Sequence, residues 1–148
     1  MDYTYQKYRK KYKIHNTFIL NGKDILFYGE GEIEIGKNTY IGRNSSINSR
    51  EGCKVKIGDN CKISHNVKIY TTSWDIKKYM QGIISDKEGN VTIKDNCWIG
   101  TNVFIGCGVT IGKNSIIGAN VVVTKDVEDY AMIKPTQIIT TKSKKLSN

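Results

Sequence analysis

The stretch IKDNCWIGTNVFIGCGVTIGKNSIIGANVV, residues 93–122, repeats with a period of six. Each of its five hexads begins with isoleucine, four have glycine in the second place, and four have asparagine in the fourth. A short internal repeat is interpreted before anything else, because repeat architectures are built from copies of one structural unit. This stretch therefore decides the fold.

The same period extends over twelve hexads that begin between Ile35 and Val123. Eleven of the leading residues are isoleucine and one is valine: Ile35, Ile41, Ile47, Ile57, Ile63, Ile69, Ile93, Ile99, Ile105, Ile111, Ile117 and Val123. Large β-branched side chains suit a buried, pleated surface. The first column predicts short strands whose leading side chains point into a core.

Two further columns refine this prediction. The fifth place holds a small or β-branched residue in all but one hexad, the exception being Glu51, so we expect these side chains, Ser73 among them, to point inward too. The fourth place is asparagine in eight hexads. Asparagine tolerates left-handed backbone angles better than most residues, so this column predicts a sharp corner every six residues.

Three short strands separated by such corners close a triangular coil of 18 residues, and twelve hexads build four coils. Successive coils stack about 4.8 Å apart, the usual spacing between strands. Burying one isoleucine is worth roughly 1.5–3 kcal/mol, so the isoleucine column is the main driving force. The sequence predicts an all-β fold, a parallel β-helix over residues 25–127.

Three segments lie outside the predicted coils. We expect residues 1–24 to form a basic N-terminal extension with a short helix that covers the open edge of the first coil. The segment 75–90 breaks the repeat without shifting it, because Ile69 and Ile93 are 24 residues apart. It is therefore predicted to project from one corner, and long loops of this kind tend to be functional. Residues 128–148 form a C-terminal tail.

Charge and composition narrow the classes of partner. The net charge is +9, with a dense patch in YQKYRKKYK, residues 5–13. Such a patch attracts nucleic acid, anionic lipid or phosphorylated ligands, but no nucleic-acid-binding motif follows it, so a solvated arm is the favoured interpretation. The sequence contains neither an apolar run of about 18 residues nor a signal peptide, and we expect a cytoplasmic protein without a membrane span.

The cysteines do not predict a metal site. Cys53, Cys61, Cys97 and Cys107 have no CxxC spacing, and no histidine cluster accompanies them. Zinc sites in proteins usually show such spacing. We expect reduced, buried thiols and no metal.

Residues 30–140 resemble the hexapeptide-repeat acetyltransferases, whose fold is a left-handed parallel β-helix. The resemblance implies a homotrimer that binds acetyl-CoA in a groove between two subunits. It also implies transfer of the acetyl group to a hydroxyl or amine of a sugar-like acceptor, as in the modification of bacterial polysaccharides. The same solenoid carries several functions, so the repeat is more specific for the fold than for the activity.

The resemblance is strongest from Val91 to Val127, the cofactor-binding part of the family. It implies that Trp98 contacts the pantetheine arm and that Thr101 and Ala119 provide further contacts. Thr124 and Lys125 would lie near the nucleotide, where a lysine suits the phosphates of CoA. Two alternatives stay open: Trp98 as a packing residue between subunits, and Lys125 as a solvated surface residue.

One position departs from the family at the point of catalysis. Family members have a histidine base in a sequence like TTSHD, whereas this chain reads TTSWD and has Trp74 there. An indole has one N–H donor and no basic lone pair, so it cannot accept the acceptor's proton. The loss of a general base typically costs about 10²–10⁴ in rate. Asp75 and His65 are weak alternatives, although Asp75 can instead orient the acceptor and His65 can be a plain surface residue.

Two functions follow from this departure: an acetyltransferase with an impaired site, or a catalytically inactive trimeric scaffold or binding module. The carbonic-anhydrase branch of the fold needs three histidines on a metal, and this chain has two histidines. A second departure lies near the C-terminus, where the family commonly reads G-N-P-A. This chain has Ile133, Lys134, Pro135 and Thr136, which predicts that the CoA tail is held differently or poorly.

Overall fold

Short parallel strands wind around a three-sided core in the computed structural model, which describes residues 3–135. The chain opens with helix α1, Tyr3–Lys11. The strands of the first three coils are β1 (Lys13–Ile14), β2 (Ile19–Asn21), β3 (Leu26–Tyr28), β4 (Glu32–Ile35), β5 (Tyr40–Gly42), β6 (Ser46–Asn48), β7 (Lys54–Ile57), β8 (Lys62–Ile63) and β9 (Lys68–Tyr70). A projecting hairpin follows, composed of β10 (Thr72–Trp74), helix α2 (Ile76–Met80) and β11 (Asp86–Glu88).

The chain then returns to the stack. The remaining strands are β12 (Val91–Ile93), β13 (Trp98–Ile99), β14 (Phe104–Ile105), β15 (Thr110–Ile111), β16 (Ile116–Ile117), β17 (Val122–Val123) and β18 (Met132–Ile133). Stacking produces three faces. Face A contains β1, β4, β7, β12 and β15; face B contains β2, β5, β8, β13, β16 and β18; and face C contains β3, β6, β9, β14 and β17.

The predicted isoleucine column forms the core. All twelve leading residues are buried, and none is more than 4% exposed. The register places like residues of successive coils side by side, as in Ile41 with Ile63 and Ile99 with Ile117. Each leading side chain thus packs against its counterparts in the neighbouring coils, and this confirms the first column of the repeat.

The fifth column also points inward, except at Glu51, whose long polar side chain already broke the pattern, and at Ser73. Ser73 is exposed, so the expectation that it faces the core is wrong. The chain has already left the stack at this point, since Ser73 pairs with Lys87 in the hairpin. Thr71, two residues earlier, is buried at the base of the hairpin and accepts a hydrogen bond from the Arg50 N–H at 2.9 Å.

The asparagine column marks corners, as predicted. All eight asparagines have φ between 54° and 64°, in the left-handed region. Asn38, Asn60, Asn96 and Asn114 lie between faces A and B, and Asn44, Asn66, Asn102 and Asn120 lie between faces B and C. The third corner, between faces C and A, instead has glycines at positive φ, Gly52 and Gly108 among them.

Small polar side chains satisfy the backbone inside the corners. The hydroxyl of Thr39 donates to the carbonyl of Gly58 at 2.8 Å, and the thiols of Cys61 and Cys97 donate to the carbonyls of Lys94 and Gly112, both at 3.1 Å. Contact with the Cys97 thiol, together with burial, raises the pKa of Cys61. Cys61 is therefore a protonated thiol. Cys53, Cys61 and Cys97 are buried, as the sequence predicts, whereas Cys107 is only partly buried.

The stack is longer than predicted. It has five complete coils rather than four, and a sixth begins where Val127 bridges to Ile111 and β18 pairs with β16. Pairing begins at Lys13, upstream of the boundary that the repeat predicts at residue 25. The repeat is not recognisable in the first coil because two phenylalanines fill its interior. Phe18 takes the place of a small side chain, and Phe27 takes the place of an isoleucine.

Helix α1 covers the first coil, as expected. The ring of Tyr8 stacks on Phe27 with 4.8 Å between centroids, and Tyr12 meets the same ring edge-on. Arg9 donates to the carbonyl of Phe18 at 2.5 Å. Tyr8 and Tyr12 of α1 therefore cover the end of the core, which the first coil would otherwise leave open to solvent. The basic residues of α1 flank these two rings.

Neither helix in the described part of the chain has the length and apolar character of a membrane span. Residues 136–148, the larger part of the predicted tail, lie outside the described residues.

Candidate functional site

The hairpin that carries Trp74 projects from the corner between faces C and A. Its two strands pair antiparallel, with Trp74 opposite Asp86. The indole is 55% exposed, and the ring of Tyr79 meets it edge-on with 6.1 Å between centroids. The structure therefore presents Trp74 at the surface, as an aromatic side chain free for contact with a ligand.

A cavity of about 590 Å³ lies between this hairpin and the C-to-A corner of the first two coils. The side chains that line it include Glu30, Asn48, Arg50, Glu51, Trp74 and Asp86. The cavity thus combines an aromatic wall with charged and amide groups. Ligand sites commonly join an apolar surface to a few convergent polar groups.

Arg50 holds the hairpin against the coils. Its guanidinium donates to Asp86 at 3.0 Å and to the hydroxyl of Thr72 at 3.2 Å, and it lies 3.6 Å from Glu88. These contacts reach both strands of the hairpin. Arg50 therefore fixes the position of Trp74 relative to the solenoid.

Asn48 is a cavity residue that the sequence analysis did not single out. It lies on face C between Tyr28 and Tyr70, and its Oδ1 atom is buried and accepts no hydrogen bond from the described residues. Burial and a hydrogen bond with Tyr70 raise the pKa of Tyr28. The signal in the sequence was the irregular hexad INSREG, which replaces the usual glycine with asparagine.

Asp75 has a structural partner. Its carboxylate caps α2 and accepts the Lys78 N–H at 3.2 Å, while its own N–H donates to the carbonyl of Ser85 at 2.9 Å. An N-cap of this kind stabilises a short helix. The carboxylate therefore orients the hairpin next to Trp74, and it does not line the cavity of about 590 Å³.

His65 lies on a different corner, between faces B and C. The Arg43 N–H donates to its Nδ1 at 3.1 Å, so this nitrogen already serves as a hydrogen-bond acceptor for the backbone. The structure does not bring His65 to the cavity beside Trp74.

The residues assigned to CoA divide into two groups. Trp98, 55% exposed on face B, lies beside the corner of Thr101 and Ala119. This corner is tight: the Asn120 N–H donates to the Thr101 carbonyl at 2.9 Å, and a Cβ on Gly100 would lie 2.6 Å from the Ala119 nitrogen.

The second group lies across face C. Thr124 and Lys125 are exposed and follow β17, at the corner between faces C and A. The hairpin projects from the same corner two coils earlier in the chain. Within one chain, the two groups therefore occupy opposite edges of face C.

Two family models match the chain. The model described as bacterial transferase hexapeptide (six repeats) matches residues 90–125, and the hexapeptide repeat of succinyl-transferase matches residues 32–71. The chain is therefore a hexapeptide-repeat protein. Together the two matches cover about half of this hexapeptide-repeat protein, including the hexads on both sides of the hairpin.

Solved structures of acetyltransferases share the fold. The chain is similar to a hexapeptide-repeat acetyltransferase from Vibrio cholerae O1 biovar eltor complexed with acetyl-coenzyme A, at 29% identity over 86% of this chain and 69% of that chain, with a TM-score of 0.68. It is similar to a maltose O-acetyltransferase from Clostridium difficile 630 at 29% identity over 89% and 72%, with a TM-score of 0.63.

A galactoside acetyltransferase in complex with coenzyme A is 35% identical over 78% of this chain and 60% of that chain, with a TM-score of 0.64. A search of curated proteins found no match. These similarities identify the solenoid as a left-handed parallel β-helix, as predicted.

The described residues also limit metal binding. No group of three or more histidine, cysteine, aspartate or glutamate residues between positions 3 and 135 is arranged to hold a metal ion.

Proposed function

We propose that this hexapeptide-repeat protein is the subunit of a cytoplasmic enzyme that transfers an acetyl group from acetyl-CoA to a hydroxyl or amine of a sugar-like acceptor. The similarity to an acetyltransferase complexed with acetyl-CoA, over 86% of the chain, is the observation that carries the proposal. The exposed Trp98 and the polar cavity beside Trp74 supply surfaces for donor and acceptor.

The donor site requires two copies of the chain. Thr101 and Ala119 lie at the corner between faces B and C, with Trp98 beside them on face B, and Thr124 and Lys125 lie at the corner between faces C and A. Two adjacent solenoids in a ring would bring one edge of each molecule to a common groove. The division of these residues between two corners therefore supports a homotrimer, in which each groove has one wall from each neighbour.

Catalysis in this site proceeds without the family's histidine. Trp74 stands at the position of the base and cannot accept a proton. Asp75 next to it is engaged in capping α2, so we assign it the role of orienting the hairpin rather than abstracting a proton. His65 lies on another corner, where its Nδ1 already accepts the Arg43 N–H. We therefore expect slow transfer to hydroxyl acceptors.

Acetyl-CoA titration tests the donor site. Calorimetry is expected to show binding by the wild-type chain and about ten- to a hundredfold weaker binding by Lys125→Ala, because a charge-assisted contact with phosphate is worth roughly 1.5–3 kcal/mol. Lys37→Ala, an exposed lysine at the corner between faces A and B, is the matched control. Absence of binding at millimolar acetyl-CoA would end the proposal, and equal losses in the two variants would remove Lys125 from the site.

Restoring the base tests the position of Trp74. We expect Trp74→His to raise transfer to a hydroxyl acceptor by about 10²–10⁴, measured as CoA release over a panel of sugars. His65→Ala is expected to leave the wild-type rate unchanged. If Trp74→His binds acetyl-CoA yet releases no more CoA than the wild-type chain, the base position is misassigned and an inactive scaffold becomes the better description.

A further inference from the structure

We propose that the cavity beside Trp74 binds an acceptor that carries a protonated amine, so that the protein is an N-acetyltransferase rather than an O-acetyltransferase. The inference rests on the proposed function and narrows its substrate class. Three observations carry it: the charge of the cavity, the exposed indole at its wall, and the groups available there to move a proton.

The cavity is acidic in a basic protein. The chain has a net charge of +9, yet the ionisable groups that line the cavity are the carboxylates of Glu30, Glu51 and Asp86 and the guanidinium of Arg50. Arg50 is bound to Asp86 and Glu88. Within the described chain, Glu30 and Glu51 make no ion pair. Two carboxylates are thus left for a cationic ligand.

The aromatic wall suits the same ligand. Trp74 is 55% exposed and lines the cavity together with Glu30 and Glu51. Tryptophan is the aromatic residue that binds cations best, with about 0.5–1 kcal/mol at exposed sites. An ammonium between the indole and these carboxylates therefore gains both an ion pair and a cation–π contact.

The cavity provides little assistance to a hydroxyl. A hydroxyl acceptor keeps its proton at neutral pH and needs a general base. Among residues 3–135, no histidine, lysine or cysteine lines the cavity. An amine with a pKa near 8, the value of an α-amino group, is about one-tenth neutral at pH 7. It can lose its proton to water or to a carboxylate such as Glu51 before it attacks.

The step balances without any further reactant. The ammonium gives one proton to water or to a carboxylate, and the neutral nitrogen attacks the thioester carbonyl carbon of acetyl-CoA. A C–N bond forms and the C–S bond breaks. The sulfur leaves with the electron pair and takes the second nitrogen proton, which gives an amide and the CoA thiol.

Matched acceptor pairs test the inference. CoA release is measured for the full-length chain with glucosamine against glucose and with galactosamine against galactose. We expect kcat/KM to be at least a hundredfold higher for each amine, and the amine rate to rise about tenfold per pH unit until the acceptor's pKa is reached. Trp74→His should raise the rate for the sugars without an amine far more than the rate for the amino sugars.

Carboxylate variants test the binding residues. Glu51→Gln and Glu30→Gln are each expected to raise KM for the amino sugar about tenfold while the Kd for acetyl-CoA stays unchanged. Glu128→Gln, an exposed carboxylate outside the cavity, is the control. A preference for the sugars without an amine, equal use of both members, or no transfer to either amine while acetyl-CoA binds would overturn the inference. Loss of acetyl-CoA binding would instead overturn the proposed function.

Discussion

At the scale of single residues, asparagine is the side chain that shapes this molecule. Eight asparagines have positive φ, and four of them form a ladder between faces B and C. In the ladder the amide of Asn66 donates to Asn102 at 2.7 Å, and that of Asn102 donates to Asn120 at 3.0 Å. The same residue type therefore bends the chain and links one coil to the next.

Asn114 tests the conformational part of this role, because it has φ of 57° and lies outside the ladder. We expect Asn114→Ala to lower the free energy of unfolding by about 1–2 kcal/mol, the cost of a left-handed residue with a Cβ. Asn114→Gly is expected to cost less, since glycine adopts this conformation freely. Denaturant unfolding of both variants decides the point: equal losses would show that the backbone angle is not the cause.

The columns of the repeat were predictable because each position in the hexad requires a single local property of its side chain or backbone. A buried β-branched residue and a left-handed corner are local requirements, and Ile99 and Asn102 satisfy them within a single hexad. The cavity was not predictable in the same way. Asn48 and Asp86 are 38 positions apart in the sequence and line one cavity only because the hairpin folds back toward the coils.

At the scale of elements, the hairpin is attached to the solenoid chiefly by polar contacts. Most of its apolar side chains are exposed, including Ile76, Met80 and Ile84, and no residue of α2 is buried. Arg50 supplies the contacts that reach both of its strands. The element that carries Trp74 thus depends chiefly on one guanidinium for its attachment to the coils, while Asp75 orders α2 within it.

Arg50→Ala is expected to increase proteolytic cleavage within residues 76–85 several-fold while changing the free energy of global unfolding by about 1 kcal/mol or less. Exposed ion pairs are worth roughly 0.2–1 kcal/mol each, so the loss should loosen the hairpin without unfolding the coils. Limited proteolysis followed by mass spectrometry measures the effect, with Arg43→Ala as the control. Unchanged cleavage would show that other contacts hold the hairpin.

The first three strands of face A carry a cluster of ion pairs, in which Glu34 contacts Lys13 and Lys54. A hydrogen bond from Lys54, with a second from Lys13, holds the pKa of Glu34 below its ordinary value, and the same contact raises the pKa of Lys54. A carboxyl group whose pKa is lower in the folded chain stabilises the fold above its unfolded pKa. That contribution is lost as the pH falls through the folded value.

Glu34→Gln should therefore destabilise the protein at pH 7, and its difference from the wild-type chain should shrink as the pH falls below about 4.3, the ordinary pKa of glutamate. Urea unfolding at several pH values measures this. Glu128→Gln is the matched control and should show no such convergence. A difference that stays constant across the acid range would mean that the ion pairs are not its source.

At the scale of the whole molecule, stability resides in one continuous column. The solenoid is a stack in which each coil contacts its neighbours, so stability is approximately a sum of coil and interface contributions. The first coil was not predicted because Phe18 and Phe27 fill its interior with aromatic rings under the lid of α1. A terminal coil packs against one neighbouring coil on one side and against a cap on the other. Its interior residues must fit both surfaces, so they depart from the repeat.

Ile99→Ala, in the middle of the column, is expected to cost about 2–5 kcal/mol, the range for a large aliphatic side chain truncated in a core. Ile83→Ala, on the exposed hairpin, is expected to change stability by about 0.5 kcal/mol or less. Both are measured by chemical denaturation at one protein concentration, because assembly would make stability depend on concentration. Equal losses would contradict a core centred on the isoleucine column.

The hairpin leaves the stack after Tyr70 and rejoins it at Val91, and the coils above and below pair as though nothing intervened. The solenoid therefore tolerates an insertion at this corner. Gly82, in the hairpin, has open space around it, so a guest peptide or small domain inserted there is expected to be displayed on the surface without disturbing the coils. An unchanged melting temperature after grafting would bear this out, and a large drop would refute it.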